Sequence, residues 1–311
     1  YMALTVYHPP PLDVGPPPPP SRRLTSARRR LARLRSSPAR EALEVARQLE
    51  ANGFAVLDGF LGAAAMGAVR DELEGRALCD SGGAASGQVR SGRVSALRSD
   101  VSRWQRVDGS GGRVGLLRPL DLLANRTDGL VAALRDHAGS APLAGTHWRS
   151  ADAMLACYPP NGTRYVRHLD NVCSGGAGAR CNGRRATAVY YLNPPAEDPT
   201  HGALRLFSPG LPTSPPLVDI EPLADRLVLF LSDERVPHAV LPTGPSQRRL
   251  AVTLWYFDAA EEAAAAAGNA NGEGRPRLSR VAPHAGFDDL GVSRVCGLAE
   301  ELGEECESEL L

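Results

Sequence analysis

One nine-residue stretch, Arg249-Leu250-Ala251-Val252-Thr253-Leu254-Trp255-Tyr256-Phe257, constrains the fold of this chain more than any other. It is rich in β-branched and aromatic residues and apolar at nearly every position, so it reads as a strand covered on both faces inside a sheet. Yet it opens on an arginine. Alternation puts Arg249, Ala251, Thr253 and Trp255 on one side and Arg248 on the other. A buried guanidinium is costly unless it meets an anion, so the strand implies a bound carboxylate or a fixed acidic partner. The planar fork of arginine suits a carboxylate. Two alternatives stand beside this reading: Arg249 at the strand mouth in solvent, and Arg248 as the anchor instead.

Upstream residues favour the buried anchor. In Tyr165-Val166-Arg167-His168-Leu169-Asp170 an extended backbone points His168 and Asp170 to the same side, where they supply adjacent ligands to one metal ion. A distant His238 completes a facial triad. Two imidazoles and one carboxylate leave three octahedral positions open, the arrangement of non-haem Fe(II) oxygenases, whereas zinc favours a closed tetrahedron. A His-x-Asp pair alone is more often an ordinary surface pair. The third ligand and the arginine eleven residues after it give the pair its weight.

Around these residues the pattern is helices first, then strands. Leu43, Ala46 and Leu49 recur at helical spacing, as do Met66, Val69 and Leu73, and then Leu130, Val131 and Leu134. The spans 187–192, 204–207, 227–231 and 249–257 read as short strands separated by Gly/Pro turns. That order predicts a mainly β fold with flanking helices, a double-stranded β-helix or jelly-roll barrel. Residues 82–112, rich in glycine and arginine around Trp104, exceed a simple connection and read as a mobile substrate-covering loop.

Composition sets limits. With 311 residues, 43% of them hydrophobic, the chain can bury one good core, and its formal net charge of +0 and pI near 7.2 point away from a nucleic-acid partner. Three segments follow: a disordered Pro/Arg-rich arm over 1–40, a globular domain over 41–262, and a low-complexity and acidic tail over 263–311. The arm reads as a flexible solvated segment, with organellar targeting by a transit peptide, or a nuclear-targeting or nucleic-acid-contacting patch, as the alternatives. Cys79, Cys157, Cys173, Cys181, Cys296 and Cys306 form no CxxC pair, which disfavours a zinc finger. In a chain of this length without a signal peptide they are expected to be reduced thiols, with Cys157 a small apolar filler in a core strand. No run reaches the ~18 apolar residues of a membrane span, so no membrane partner is expected.

The run from Ala156 through Cys157-Tyr158-Pro159-Pro160 to His168-Leu169-Asp170-Asn171 resembles the metal-binding core of the hypoxia-inducible-factor prolyl hydroxylases. So do Tyr190-Tyr191-Leu192-Asn193, Leu204-Arg205-Leu206-Phe207, Asp219-Ile220-Glu221-Pro222, Asp225-Arg226-Leu227 and Trp255-Tyr256-Phe257-Asp258, in the same order. Two segments are longer than in that family: the turn between His238 and Arg249, and the glycine-rich loop from Cys173 to Gly183. The chain also contains no lysine, so all 35 of its basic residues are arginine. The collagen-type prolyl hydroxylases, which anchor 2-oxoglutarate with lysine, are therefore a poorer match.

The resemblance implies Fe(II) on His168, Asp170 and His238, and the distal carboxylate of 2-oxoglutarate on Arg249 with help from Tyr191. It implies Tyr158, Leu204 and Thr253 as cosubstrate-pocket residues. Arg184, Trp255 and Trp104 fall on its substrate side. The implied activity is prolyl 4-hydroxylation of an intracellular protein by dioxygen and 2-oxoglutarate, supported by ascorbate, in a monomer of cytoplasm or nucleus, with oxygen sensing as its associated role. A hydroxylase of a small molecule or free amino acid, or a non-catalytic jelly-roll binding protein, would share the barrel.

Overall fold

The computed structural model describes residues 38–76, 78–79, 98–107, 118–136, 143, 147–171, 182–211, 213–260 and 263. The expected N-terminal arm, apart from its last three residues, and nearly all of the C-terminal tail lie outside these. So do Cys173, Cys181, Cys296 and Cys306.

Three helices come early. The first, α1 (Pro38–Asn52), opens on proline, which is pre-organised for a first helical turn. It ends at Gly53, whose φ of +80° lets its N–H reach back to the Leu49 carbonyl at 2.9 Å. A side chain there would also meet Val236 at 2.8 Å, so both backbone and packing require glycine. After β1 (Phe54–Asp58) comes α2 (Ala63–Glu74), and α3 (Pro119–Asp136) follows β2 (Val101–Arg106). The apolar stripes expected of the three helices are buried except at Leu43, which is exposed, and Met66, which is half-buried: Ala46 and Leu49 on α1, Val69 and Leu73 on α2, and Leu130, Val131 and Leu134 on α3.

The remaining strands are β3 (His147–Arg149), β4 (Asp152–Tyr158), β5 (Tyr165–His168), β6 (Arg184–Tyr191), β7 (Leu204–Phe207), β8 (Pro216–Ile220), β9 (Arg226–Leu231), β10 (His238–Val240) and β11 (Arg249–Asp258). They form a seven-stranded sheet ordered β1-β9-β6-β11-β4-β2, with β3 also pairing β11, and a four-stranded sheet ordered β5-β10-β7-β8. All ladders between these strands are antiparallel. One face of the larger sheet packs on the helices; residues of its other face, with members of the smaller sheet, enclose a cavity. This is the jelly roll expected from the sequence.

β11 sits at the centre of the larger sheet, and nine of its ten residues are buried, as its two-sided apolar sequence requires. Its neighbours fix its register: Arg249 opposite Tyr158, Ala251 opposite Ala156, Thr253 opposite Met154. The longer turn before it leaves that register intact. It docks on the Asn161–Gly162 turn through Asn161 N–H to Gly244 O at 2.9 Å and Gly162 N–H to Thr243 O at 3.0 Å.

Two expectations are corrected. Residues 101–106 are a strand of the larger sheet, paired with β4 from Val101 opposite Cys157 to Arg106 opposite Asp152, instead of part of a mobile loop. Its polar sequence, Val-Ser-Arg-Trp-Gln-Arg, hides the strand because, among the described residues, β2 is an edge with only one hydrogen-bonded neighbour. Residues 80–97 and 108–112 of the same segment lie outside the described residues. The second correction concerns Cys157, which is disulfide-bonded to Cys79 rather than a reduced apolar filler. The two Cα atoms, 78 residues apart in sequence, lie 5.5 Å apart.

Asp225 ties the larger sheet to the helical layer. Its side chain accepts from Leu61 N–H at 2.7 Å, Gly62 N–H at 2.8 Å and Tyr190 O–H at 2.8 Å, just before α2 begins. Its own φ of +62° is a conformation aspartate tolerates better than most residues. Asp225→Ala strands three donors and keeps the unfavourable φ, so urea unfolding should show a loss of roughly 3 kcal/mol. Asp225→Asn should recover part of it.

Candidate active site

The smaller sheet contributes both histidines. His168 ends β5 and His238 begins β10, and the two are opposed residues of the same ladder. Their rings lie 4.2 Å apart. Asp170 stands two residues beyond β5, off the strand, so its approach depends on side-chain contacts instead of strand alternation alone. Its Oδ1 lies 3.8 Å from His168 Nε2 and 3.9 Å from His238 Nε2. Among the described residues this is the one group of three potential metal ligands, with ligand atoms all within 4.8 Å of one another.

Each imidazole is oriented by its own backbone. His168 Nδ1 lies 2.8 Å from Val166 O and His238 Nδ1 lies 3.1 Å from Val236 O. A carbonyl can only accept, so both Nδ1 atoms carry the proton and both Nε2 lone pairs face the centre. Burial, reinforced by the neighbouring His238, pushes the His168 pKa down to about 3. Burial lowers that of His238 as well. For Asp170 burial acts the other way, but His238, His168, Arg184 and the Thr187 hydroxyl outweigh it and hold the carboxyl below its ordinary range. Two neutral imidazoles and one carboxylate are thus ready together, the ionisation states a divalent cation needs. The donor set fits iron.

The cavity in front of this cluster has about 480 Å³ of space, its open mouth included. Arg249, Tyr158, Leu204, Thr253 and Trp255 line it together with the three ligands, as the sequence led us to expect. Arg249 is 4% exposed; its Nε donates to Gly202 O at 2.8 Å, and its guanidinium lies over the rings of Tyr158 at 4.7 Å and Tyr191 at 4.9 Å. Tyr191 lies beneath Arg249, and its hydroxyl is buried without a hydrogen-bond partner. Burial raises the pKa of that hydroxyl against the opposing pull of Arg249, so it stays protonated as a donor. An orphaned donor beside a buried cation fits the carboxylate of 2-oxoglutarate.

Arg248, the alternative anchor, points outward and pairs with Glu74 at 2.7 Å with both side chains nearly half exposed. The alternation read from the sequence therefore holds.

Trp104 stacks on the cavity-lining Trp255 with ring centroids 5.3 Å apart, and the Arg184 guanidinium lies 4.3 Å from the Trp255 ring. The Trp104 indole N–H is buried without a partner. The three residues assigned to the substrate side thus form one cluster around Trp255, which lines the cavity. Of the glycine-rich Cys173–Gly183 loop, Asn182 and Gly183 are among the described residues.

Several residues of the site escaped sequence reasoning. Thr187 donates to Asp170 Oδ2 at 2.6 Å; a lone hydroxyl in the apolar run of β6 was its available signal. Gly202, with φ +67°, lets its carbonyl approach Arg249, since an added Cβ would meet Arg249 Cδ at 3.1 Å. Tyr165 stacks on His168 at 3.7 Å, with Arg98 above it at 4.5 Å. Arg98 is paired in turn with buried Asp100 through two 2.6 Å bonds. No local pattern marks Arg98 or Asp100, because their roles depend on the Arg98–Tyr165 bridge between distant segments.

The jelly roll, the facial His-Asp-His cluster and the arginine-anchored cavity define a class, and the model of the 2OG-Fe(II) oxygenase superfamily matches residues 153–257. Enzymes of that superfamily use Fe(II) and 2-oxoglutarate. Within it the chain belongs to the family of the EGLN and hypoxia-inducible factor prolyl hydroxylases. It is 36% identical to human Egl nine homolog 1 over 236 residues, which is 75% of this chain and 50% of that protein. To human prolyl hydroxylase EGLN3 it is 35% identical over 218 residues, 68% of this chain and 82% of that one. Among solved structures, the Trichoplax adhaerens prolyl hydroxylase in complex with a hypoxia inducible factor oxygen degradation domain peptide fragment aligns with TM-score 0.58 at 33% identity, covering 73% of this chain and 93% of that one. A Pseudomonas putida prolyl-4-hydroxylase aligns at 27% identity with TM-score 0.51, covering 70% and 98%. The chain spans about half the length of the Egl nine homolog 1 proteins it matches.

No described helix is long and apolar enough to cross a membrane.

Proposed function

We propose that this chain hydroxylates a proline residue of a protein, using Fe(II), 2-oxoglutarate and dioxygen. The carrying observation is that His168, Asp170, His238 and Arg249 all open into one cavity. In this reading the two Nε2 atoms and Asp170 Oδ1 hold the iron. When bound, iron and 2-oxoglutarate supply the oxidising chemistry that activates dioxygen. Arg249 takes the far carboxylate of 2-oxoglutarate through its free fork while Gly202 O holds Nε, and the Tyr191 hydroxyl donates to the same carboxylate. Tyr158, Leu204 and Thr253 wall the cosubstrate and exclude water around it. Trp104, Trp255 and Arg184 offer flat apolar and cationic surface at the mouth, suited to a proline ring and a peptide backbone.

A protein substrate is favoured over a free amino acid because the aromatic wall continues outward from the metal centre to the edge strand β2. The peptide bound in the Trichoplax relative supports the same choice. The test incubates purified protein with Fe(II), 2-oxoglutarate and either that oxygen degradation domain peptide or free L-proline, and measures succinate and a one-oxygen mass gain. Peptide hydroxylation well above that of free proline is expected. Equal turnover of free proline would move the assignment to a small-molecule hydroxylase, and no iron-dependent succinate under either condition would leave a binding protein.

A further inference from the structure

The two oxygens of Asp170 live in different surroundings. Oδ1 faces the two imidazoles at 3.8 and 3.9 Å. Oδ2 accepts one hydrogen bond from Thr187 Oγ1 at 2.6 Å and another from Trp255 Nε1 at 3.1 Å. Thr187 and Trp255 are themselves opposed residues of the β6–β11 ladder, so they reach the carboxylate from adjacent positions on one sheet face. Thr187 has a single proton, and Asp170 as a carboxylate can only accept it. The 2.9 Å contact between Ser232 Oγ and Thr187 Oγ1 is therefore donated by Ser232, giving a directed chain from Ser232 through Thr187 to Asp170. All three donors are almost fully buried.

Such an arrangement is needed because Asp170 has left its strand. On the side-chain side its orientation comes from these two donors, while the Asn182 amide holds its main-chain oxygen at 2.8 Å. Trp255 has a second task. The ring whose N–H grips Oδ2 is the cavity-lining ring that Trp104 and Arg184 cover.

We infer that Thr187 and Trp255 are positioning residues that commit Asp170 to bind metal through Oδ1 alone, and that Trp255 ties this ligand to the wall against which a substrate rests. The inference rests on the metal-site reading above. Without either donor, Oδ2 is free to turn toward the metal and occupy a position that the cosubstrates need. A wall residue that shifts with the substrate then shifts an iron ligand with it.

Co(II) is the probe, since its visible spectrum reports coordination number and its binding can be titrated in metal-free protein without any turnover. Thr187→Val removes the hydroxyl at nearly constant shape, and Trp255→Phe keeps an aromatic ring but removes the N–H. Each should weaken Co(II) binding by about tenfold or more, in the range that loss of a ligand's outer partner produces, and each should alter the visible band. Thr187→Ser should restore both. Thermal melting of the metal-free variants separates this from general damage, and Trp255→Phe carries the test alone if Thr187→Val does not fold. Binding within twofold of wild type with an unchanged spectrum in both variants, while His168→Ala loses binding, overturns the inference and leaves the metal site standing. Undiminished Co(II) binding by His168→Ala removes the metal site and the inference together.

Discussion

His168→Ala, Asp170→Ala and His238→Ala will each reduce iron-dependent succinate formation to background. The loss should exceed the roughly 10–100-fold that follows removal of a ligand's outer partner, because a ligand itself is gone. The three side chains are buried, and the two imidazoles are held neutral by that burial. None of the three is interchangeable with another: both histidines are oriented by backbone carbonyls, and Asp170 by Thr187 and Trp255. Asp170→Glu should fail too, since an added methylene displaces the carboxylate from both donors at once. Circular dichroism should show a folded barrel throughout. Succinate production above a trace in any of the alanine variants would overturn the metal assignment.

Arg249→Lys should raise the 2-oxoglutarate KM by about 10–100-fold, from the loss of one charge-assisted hydrogen bond worth roughly 1.5–3 kcal/mol. Lysine preserves the charge but loses the planar fork, and it cannot both donate to Gly202 O as Nε does and reach a carboxylate. Arg248→Lys is the internal control. Its pairing with Glu74 is solvent-exposed, of a kind worth only ~0–1 kcal/mol, so KM should stay within about twofold. Reversal of the two effects would place the strand one residue out of register and move Thr253 and Trp255 off the cavity.

The legible parts of the site were those written in short-range periodicity. Alternation along β11 separated Arg249 from Arg248 correctly, and the spacing of His168 and Asp170 anticipated two ligands on one side, although Asp170 reaches its place beyond the strand end. The helices were legible for the same reason, each carrying its apolar residues at one-turn spacing. β2 was not, since an edge strand with polar residues on it has no two-sided apolar signal. Nor were Thr187, Gly202 and the Arg98–Asp100 pair, whose contributions exist only once distant strands meet. Cys79 and Cys157 carry no mark of pairing in their spacing; the sheet and the helical layer bring them together.

That disulfide divides the molecule in a way its secondary structure does not. Residues 79–157 form a covalent ring holding Arg98, Asp100 and Trp104, while His168, Asp170, His238 and Arg249 all lie outside it. Closing a ring of this size restricts the unfolded chain enough to stabilise the fold by about 4 kcal/mol in the chain-entropy account. Ambient thiols thus act on one half of the cavity's supports and spare the other: reduction loosens the anchorage of the wall bearing Trp104, and the metal cage keeps every one of its own attachments. Cys157 belongs to the core between the sheet and the helices, so the bond that oxidation made lies on the face of the sheet turned away from the cavity.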